Sequence, residues 1–218
     1  MNLYIHDHCP FCVKARMIFG LRDVPVTLQT LLNDDAETPL RLVGEKKVPI
    51  LEFEDGYTLD ESLAIVKCID SEAEGVKIME GPRNPEIERW IKASGDTVIK
   101  LFIPRVPRAP LGEFATPEAA EYFTRNKEAT FGSFDTLLSQ TPELLVDLER
   151  WLNDLDALTQ SPEAVNGVLS MDDIELFPVL RQLSLVEGVK YPKNVEAYRQ
   201  AMSQLANVPL HDEIAVAA

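Results

Sequence analysis

The chain has 218 residues, enough to bury a substantial core as one large domain or as two smaller ones. Its 21 basic and 36 acidic residues leave a net charge of −15, which argues against nucleic acid and against an anionic membrane surface as partners. No apolar run approaches the roughly 18 residues a bilayer crossing requires, so no membrane association is expected.

Leu3-Tyr4-Ile5 reads as a short strand, and with a strand starting so early Met1 to Asp7 leave no room for a signal peptide. A cytoplasmic location follows as an expectation. Directly after the strand comes Cys9-Pro10-Phe11-Cys12. Pro10 has its φ already set for a first helical position and no N–H to lose there, so it predicts a helix starting at the cysteines. Val13, Met17, Ile18 and Leu21 recur at helical spacing and carry that helix to Leu21.

Cys9 is thereby placed at the positive end of a helix, where unpaired amides and the macrodipole favour a thiolate and lower its pKa. Cys12, one turn further in, is expected to be more buried and more protonated, able to attack a mixed disulfide once it has formed on Cys9. A disulfide between them would close too small a ring to restrict the unfolded chain much, so its use is exchange chemistry. Zinc needs about four ligands, usually in paired clusters, and only Cys68 and three histidines accompany the pair, so no metal is expected. Three cysteines, two of them in one motif, fit a reducing compartment. Cys68, in the run Leu63 to Ile69, reads as a buried small hydrophobe. His8, directly before Cys9, is open to two readings: a cation that polarises the thiolate, or a neutral loop imidazole.

Pro25 ends the first helical unit, and Val26, Leu28 and Leu31 predict a second strand. Thr38-Pro39 reads as a cap and first position of a short helix through Val43, stopped by Gly44. Val48 to Phe53 is a third strand, joined by Glu54-Asp55-Gly56 to a fourth around Tyr57 to Leu59 in a hairpin. A helix then begins near Asp60-Glu61-Ser62 and carries Leu63, Ile65, Val66 and Ile69. The order β-α-β-α-β-β-α is legible without any comparison.

Breaker-rich sequence at Glu72 to Gly75 and Gly81 to Pro85 marks a change of composition, with residues 1–75 before it, a linker at 76–83 and residues 84–218 after it. Beyond it only helical patterns appear. Ile87, Trp90, Ile91, Ser94, Val98, Leu101 and Phe102 form one stripe, and Leu144 to Leu158 another, with both tryptophans read as core. Thr116-Pro117 and Thr141-Pro142 each read as a cap before a first-turn proline. Ser170-Met171-Asp172-Asp173 reads as a capping box, flanked by Leu169 and Ile174 as a staple, with Pro178 bending the helix that follows. The proline-broken stretch Ile103 to Pro110 carries Arg105 and Arg108, either as cations for an anionic ligand or client or as part of a solvated loop.

Cys9-Pro10-Phe11-Cys12, Val48-Pro49, Glu61-Ser62 at a helix start and the segment Leu169 to Leu180 together resemble the large two-domain bacterial glutaredoxins, which share their fold with glutathione transferases. The resemblance covers the whole chain. It implies a thioredoxin-like α/β N-terminal domain followed by an all-α C-terminal domain, in a glutathione-transferase-like architecture. It also implies a monomer, glutathione as electron donor, and disulfide-containing or glutathionylated proteins as clients. Phe11 stands where small glutaredoxins commonly carry Tyr, which leaves both thiols in place.

Val48, extended because Pro49 follows, offers its backbone to the peptide-like middle of glutathione as an added strand. By the resemblance the Val48-Pro49 bond is cis. Ser62 and the helix amides suit the γ-glutamyl carboxylate, and Glu61 its ammonium; the alternative for both residues is simple helix capping. Two other functions compete with thiol exchange: a glutathione transferase, which has no use for a second thiol, and a non-catalytic binding module on the same fold.

Overall fold

A computed structural model describes residues 1–218. The N-terminal domain consists of β1 (Asn2–Ile5), α1 (Pro10–Leu21), β2 (Thr27–Thr30), α2 (Glu37–Val43), β3 (Ile50–Glu52), β4 (Thr58–Leu59) and α3 (Ser62–Glu72), in the order the sequence predicts. Its sheet runs β2-β1-β3-β4, with β1 and β2 parallel and the other pairs antiparallel. Leu3 and Ile5 of central β1 are buried, whereas edge strand β2 exposes all four of its residues, Leu28 included. The β3–β4 hairpin turns through Gly56 at φ +84°, which a side chain would strain.

α2 begins earlier than Thr38 predicts. Asp35 Oδ1 accepts the Thr38 N–H at 3.0 Å, Ala36 takes the cap position, and Thr38 becomes an internal residue of the first turn. Gly44 ends the helix in the left-handed region as expected. Cys68 is half-buried, because helical spacing puts it beside the buried face of Ile65, Val66 and Ile69 and not on it.

The C-terminal domain is all helical: α4 (Pro85–Phe102), α5 (Pro117–Phe131), α6 (Phe134–Ser139), α7 (Thr141–Leu158), α8 (Met171–Leu183) and α9 (Lys193–Leu205). No helix is long and apolar enough to cross a membrane. Thr116 caps α5 by accepting from Ala119 N–H. Thr141 is not a cap: Gln140 takes that position, and the Thr141 hydroxyl accepts from Arg105 at 2.9 Å. The capping box forms as read, with Asp173 Oδ2 accepting the Ser170 N–H at 2.9 Å. Trp90 is core, its indole N–H donating to the Trp151 carbonyl at 2.6 Å.

For Arg105 both readings of the proline-broken stretch are corrected, while Arg108 stays exposed. Arg105 is fully buried and donates to the carbonyls of Leu101 and Val216 as well as to Thr141, so its charge holds the chain together and faces no ligand. Ile103, Val106, Ala109 and Leu111 around it join a small apolar cluster with Phe102, Phe123 and Phe134, so this part of the stretch is packed and not a solvated loop. Arg108 lies 3.7 Å from Asp135. The stretch after α3 is also pinned, since Ile78 and Met79 N–H donate to the buried Asp70 carboxylate, which Arg22 also engages.

One apolar cluster runs from Leu3 through α1, α3, α4, α7 and α8 to Val208, so the two domains share a core. Helix α8, buried along almost its whole length, packs on both α1 and α4. Close approach at the far end of α1 demands glycine: a Cβ on Gly20 would overlap the Ala206 carbonyl just after α9. Gly20→Ala is therefore expected to destabilise the protein by about 1–3 kcal/mol or more, because backbone on both sides must move. A lowered urea midpoint with an unchanged slope would show it.

Candidate active site

Cys9 occupies the cap position of α1 in an extended conformation, and its carbonyl accepts the Val13 N–H at 3.0 Å. No side chain caps this helix. The Phe11 and Cys12 amides are left to face the Cys9 sulfur. Cys12 is fully buried, Cys9 is half-buried, and both are free thiols.

The Cys12 S–H bonded to the Cys9 sulfur does most to favour the thiolate. Burial opposes it, the charge His8 carries when protonated and the two amides add to it, and Cys9 is brought down to about 6. Burial and the same hydrogen bond push Cys12 well above the ordinary thiol range, and burial raises Cys68. Alkylation by iodoacetamide is thus expected to rise through pH of about 6 and then level off at Cys9, while Cys12 and Cys68 stay unlabelled until alkaline pH. Peptide mapping of the labelled protein checks this, and equal labelling of the three thiols at pH 6.5 would refute it.

The loop that carries Cys9 is anchored from the helical domain. Arg181 of α8 donates to the Asp7 carbonyl at 2.5 Å and to both carboxylate oxygens at 3.0 and 2.9 Å, and Arg16 also pairs with Asp7. Burial pushes the Asp7 carboxyl up, but the two guanidiniums outweigh it and hold the group below its usual range. His8, the next residue, is held by Glu113. Arg181 and Glu113 thus reach the two residues before the thiol from more than 100 positions away in sequence.

A cleft of about 310 Å³ opens at Cys9. The N-terminal domain lines it with His6, His8, Lys46, Lys47 and Val48 among others, and α5 closes the far side with Tyr122, Phe123, Asn126 and Lys127. Lys46 crosses it, its ammonium 3.8 Å from the Tyr122 ring centroid. The larger cavity of about 570 Å³, between the ends of α1 and α9, contains no thiol.

The structure brings Val48 together with Cys9 in this cleft. The Val48-Pro49 bond is cis, and the Val48 N–H and C=O have no hydrogen-bond partner within the chain. Glu61 and Ser62 lie outside the cleft lining, linked to it by Lys47, whose ammonium is 3.0 Å from Glu61 and 2.8 Å from Asp60. Glu61 stands at the cap position of α3 and Ser62 at its first residue, yet neither side chain caps the helix. The α3 amides stay open.

Sequence reasoning missed the helical domain's share: Glu113 and the α5 residues Tyr122, Asn126 and Lys127. Nothing local distinguishes Glu113 from any carboxylate in a turn. Lys46-Lys47, directly before Val48-Pro49, was the one available signal of a charged cleft wall.

Two family descriptions match the chain: the glutathione S-transferase N-terminal domain over residues 3–77 and the glutaredoxin 2 C-terminal domain over residues 86–215. Glutaredoxin 2 of Escherichia coli K12 is 46% identical over 216 residues, covering 99% of this chain and 100% of that protein. The structure of glutaredoxin 2 from Salmonella typhimurium, solved in complex with glutathione, superposes with a TM-score of 0.96 at 46% identity, covering 99% of this chain and 98% of that one. A glutathione S-transferase from Rhodospirillum rubrum reaches a TM-score of 0.63 at 16% identity, covering 95% and 88% of the two chains, a likeness of fold alone. The C-terminal match over more than half the chain and the full-length identity place this chain in the glutaredoxin 2 family.

Proposed function

We propose that the protein is a glutathione-dependent thiol:disulfide oxidoreductase in which Cys9 is the nucleophile and Cys12 the resolving thiol. The observation that carries this reading is the asymmetry of the dithiol: a half-buried sulfur at an uncapped helix start, with a fully buried thiol one turn away. At neutral pH the first is a thiolate and the second keeps its proton.

On a glutathionylated client the Cys9 thiolate attacks the glutathione sulfur, the S–S bond breaks, and the client sulfur departs as a thiolate that takes a proton from water. A second glutathione thiolate then attacks the glutathione sulfur on Cys9, giving oxidised glutathione and restoring the Cys9 thiolate. On a protein disulfide, Cys9 forms a mixed disulfide with the client, and Cys12 gives up its proton and attacks the Cys9 sulfur. The reduced client leaves, and the resulting Cys9–Cys12 disulfide is reduced by two glutathiones. A transferase would have no role for Cys12.

The glutathione site in this reading uses the unpartnered backbone of Val48, preceding Pro49, for the peptide-like middle of the ligand. Ser62 and the open α3 amides receive the γ-glutamyl carboxylate, and Glu61 its ammonium. The clients are disulfide-containing or glutathionylated proteins, and the working form is a monomer in the cytoplasm.

The test is turnover of a small glutathione mixed disulfide driven only by glutathione, glutathione reductase and its nicotinamide donor. Absence of turnover would sink the assignment. In the same assay Ser62→Ala is expected to weaken glutathione use by about 1–3 kcal/mol, roughly 5- to 150-fold in kcat/KM, with the Cys9 titration unmoved. Unchanged glutathione kinetics in both Ser62→Ala and Glu61→Ala would remove these residues from the binding site.

A further inference from the structure

Glu113 sits in the short turn Gly112–Phe114 of the helical domain and is fully buried. Its Oε1 accepts the backbone N–H of His8 at 2.9 Å and lies 2.8 Å from the ring Nδ1. A carboxylate can only accept, so Nδ1 carries the hydrogen and the tautomer is fixed. The Phe114 and Phe123 rings hold the imidazole plane at centroid distances of 5.4 and 5.2 Å. The Glu113 carbonyl also accepts the Asn33 N–H at 2.8 Å, so one residue grips the loops after both β1 and β2.

A neutral amide could tether the His8 backbone equally well. A buried carboxylate is a costly choice for a tether, the more so because its second oxygen, Oε2, has no partner. Burial pushes the Glu113 carboxyl up, yet its bonds to His8 outweigh that and hold it below the usual carboxylate range, so it is charged. Its Oε1 is aimed at the side chain directly before Cys9 in the chain.

We propose that Glu113 is a positioning residue for thiol exchange, supplied by the helical domain, which fixes the tautomer and plane of His8 and stabilises positive charge on that ring beside the Cys9 thiolate. The residue immediately before the nucleophile thereby answers to the second domain. The proposal rests on Cys9 being the nucleophile.

The other titratable groups around this pair are accounted for. His6 stacks on His8 with centroids 5.8 Å apart, and Asp35, Lys46, Lys47, Tyr122 and Lys127 face the same cleft without a hydrogen bond to either partner. Cys12 lies behind Cys9, and Arg181 and His211 lie within electrostatic reach of Glu113 from the other side. Only Glu113 contacts His8 by hydrogen bonds.

The sign of one measurement decides the matter. A bare negative charge disfavours a nearby thiolate, so if Glu113 acted on Cys9 directly, removing its charge would lower the thiol pKa. Action through His8 demands the opposite. The Cys9 thiolate is titrated by its absorbance near 240 nm and by the pH dependence of iodoacetamide labelling, in the full-length wild type, Glu113→Gln, His8→Gln and the double variant.

The expected result is a rise of about one pH unit in each single variant, and no further rise in the double variant than in His8→Gln alone. The acidic limb of the turnover profile should move by the same amount, with activity recovering at higher pH. A folded Glu113→Gln with an unmoved or lowered Cys9 titration overturns the proposal, as do additive shifts in the double variant. If Glu113→Gln does not fold, His8→Gln, which keeps the backbone N–H that Glu113 accepts, carries the test, and an unmoved titration there overturns it. Residual turnover in Cys9→Ser would instead remove the nucleophile assignment, whereas a dead Cys9→Ser beside an unmoved Glu113→Gln would remove only the role of Glu113.

Discussion

Cys9→Ser is expected to lose thiol exchange on the order of 10⁴-fold or more, the scale on which removing a covalent nucleophile acts. The substitution is nearly isosteric at a half-buried cap position, so the fold should survive, and serine is a better cap than cysteine. The chemistry should not survive. In the proposed reaction Cys9 works as a thiolate, which the Cys12 thiol, a protonated His8 and two helix amides favour, and these supports act on an anion. A serine hydroxyl stays protonated at any working pH, so they have nothing to stabilise. It also cannot form the disulfide on which both the glutathione and the Cys12 steps depend. Thermal melts and far-UV circular dichroism alongside the turnover assay separate this from misfolding. Appreciable turnover by a folded Cys9→Ser protein would place the nucleophile elsewhere.

How much of this site was legible in the sequence follows from how local each signal is. The dithiol, its helix and the strand before it are encoded within twenty residues, with Pro10 and the apolar spacing of α1 sufficient to orient Cys9 and bury Cys12. The β3–β4 hairpin and the capping box at Ser170 are equally local, and the structure contains both. Thr38 and Thr141 show the limit. Each resembles a cap before a proline, but Asp35 holds the amide in one case and Arg105 uses the hydroxyl in the other.

Arg105 shows a second limit. A charged residue between prolines reads as exposed, and only the carbonyls of Leu101 and Val216 and the Thr141 hydroxyl, spread over a hundred residues of chain, make its burial tolerable. Glu113 and Arg181 lay beyond local reading for the same reason. Their contacts with His8 and Asp7 exist only once α8 and α5 have packed on the N-terminal domain, so the part of the site that helical packing supplies leaves no mark in the motif it supports.

Cys12→Ser is expected to divide the two activities that Cys9→Ser removes together. Reduction of a small glutathione mixed disulfide should stay within about threefold of wild type, because the intermediate on Cys9 is resolved by free glutathione from solution. Reduction of a protein disulfide should fall about 100-fold or more, since a thiol one helical turn away acts at an effective concentration that dissolved glutathione does not reach. The serine hydroxyl can also take over the hydrogen bond that Cys12 gives the Cys9 sulfur, the largest influence on that thiolate. Cys12→Ala cannot. The alanine variant should therefore add a rise in the Cys9 titration and slower deglutathionylation at pH 6, with recovery at pH 8, where its protein-disulfide activity also matches that of the serine variant. Equal loss of both activities in Cys12→Ser, with Cys9 still titrating near pH 6, would show that Cys12 is needed for attack itself, and the stepwise division of labour between the two thiols would be wrong.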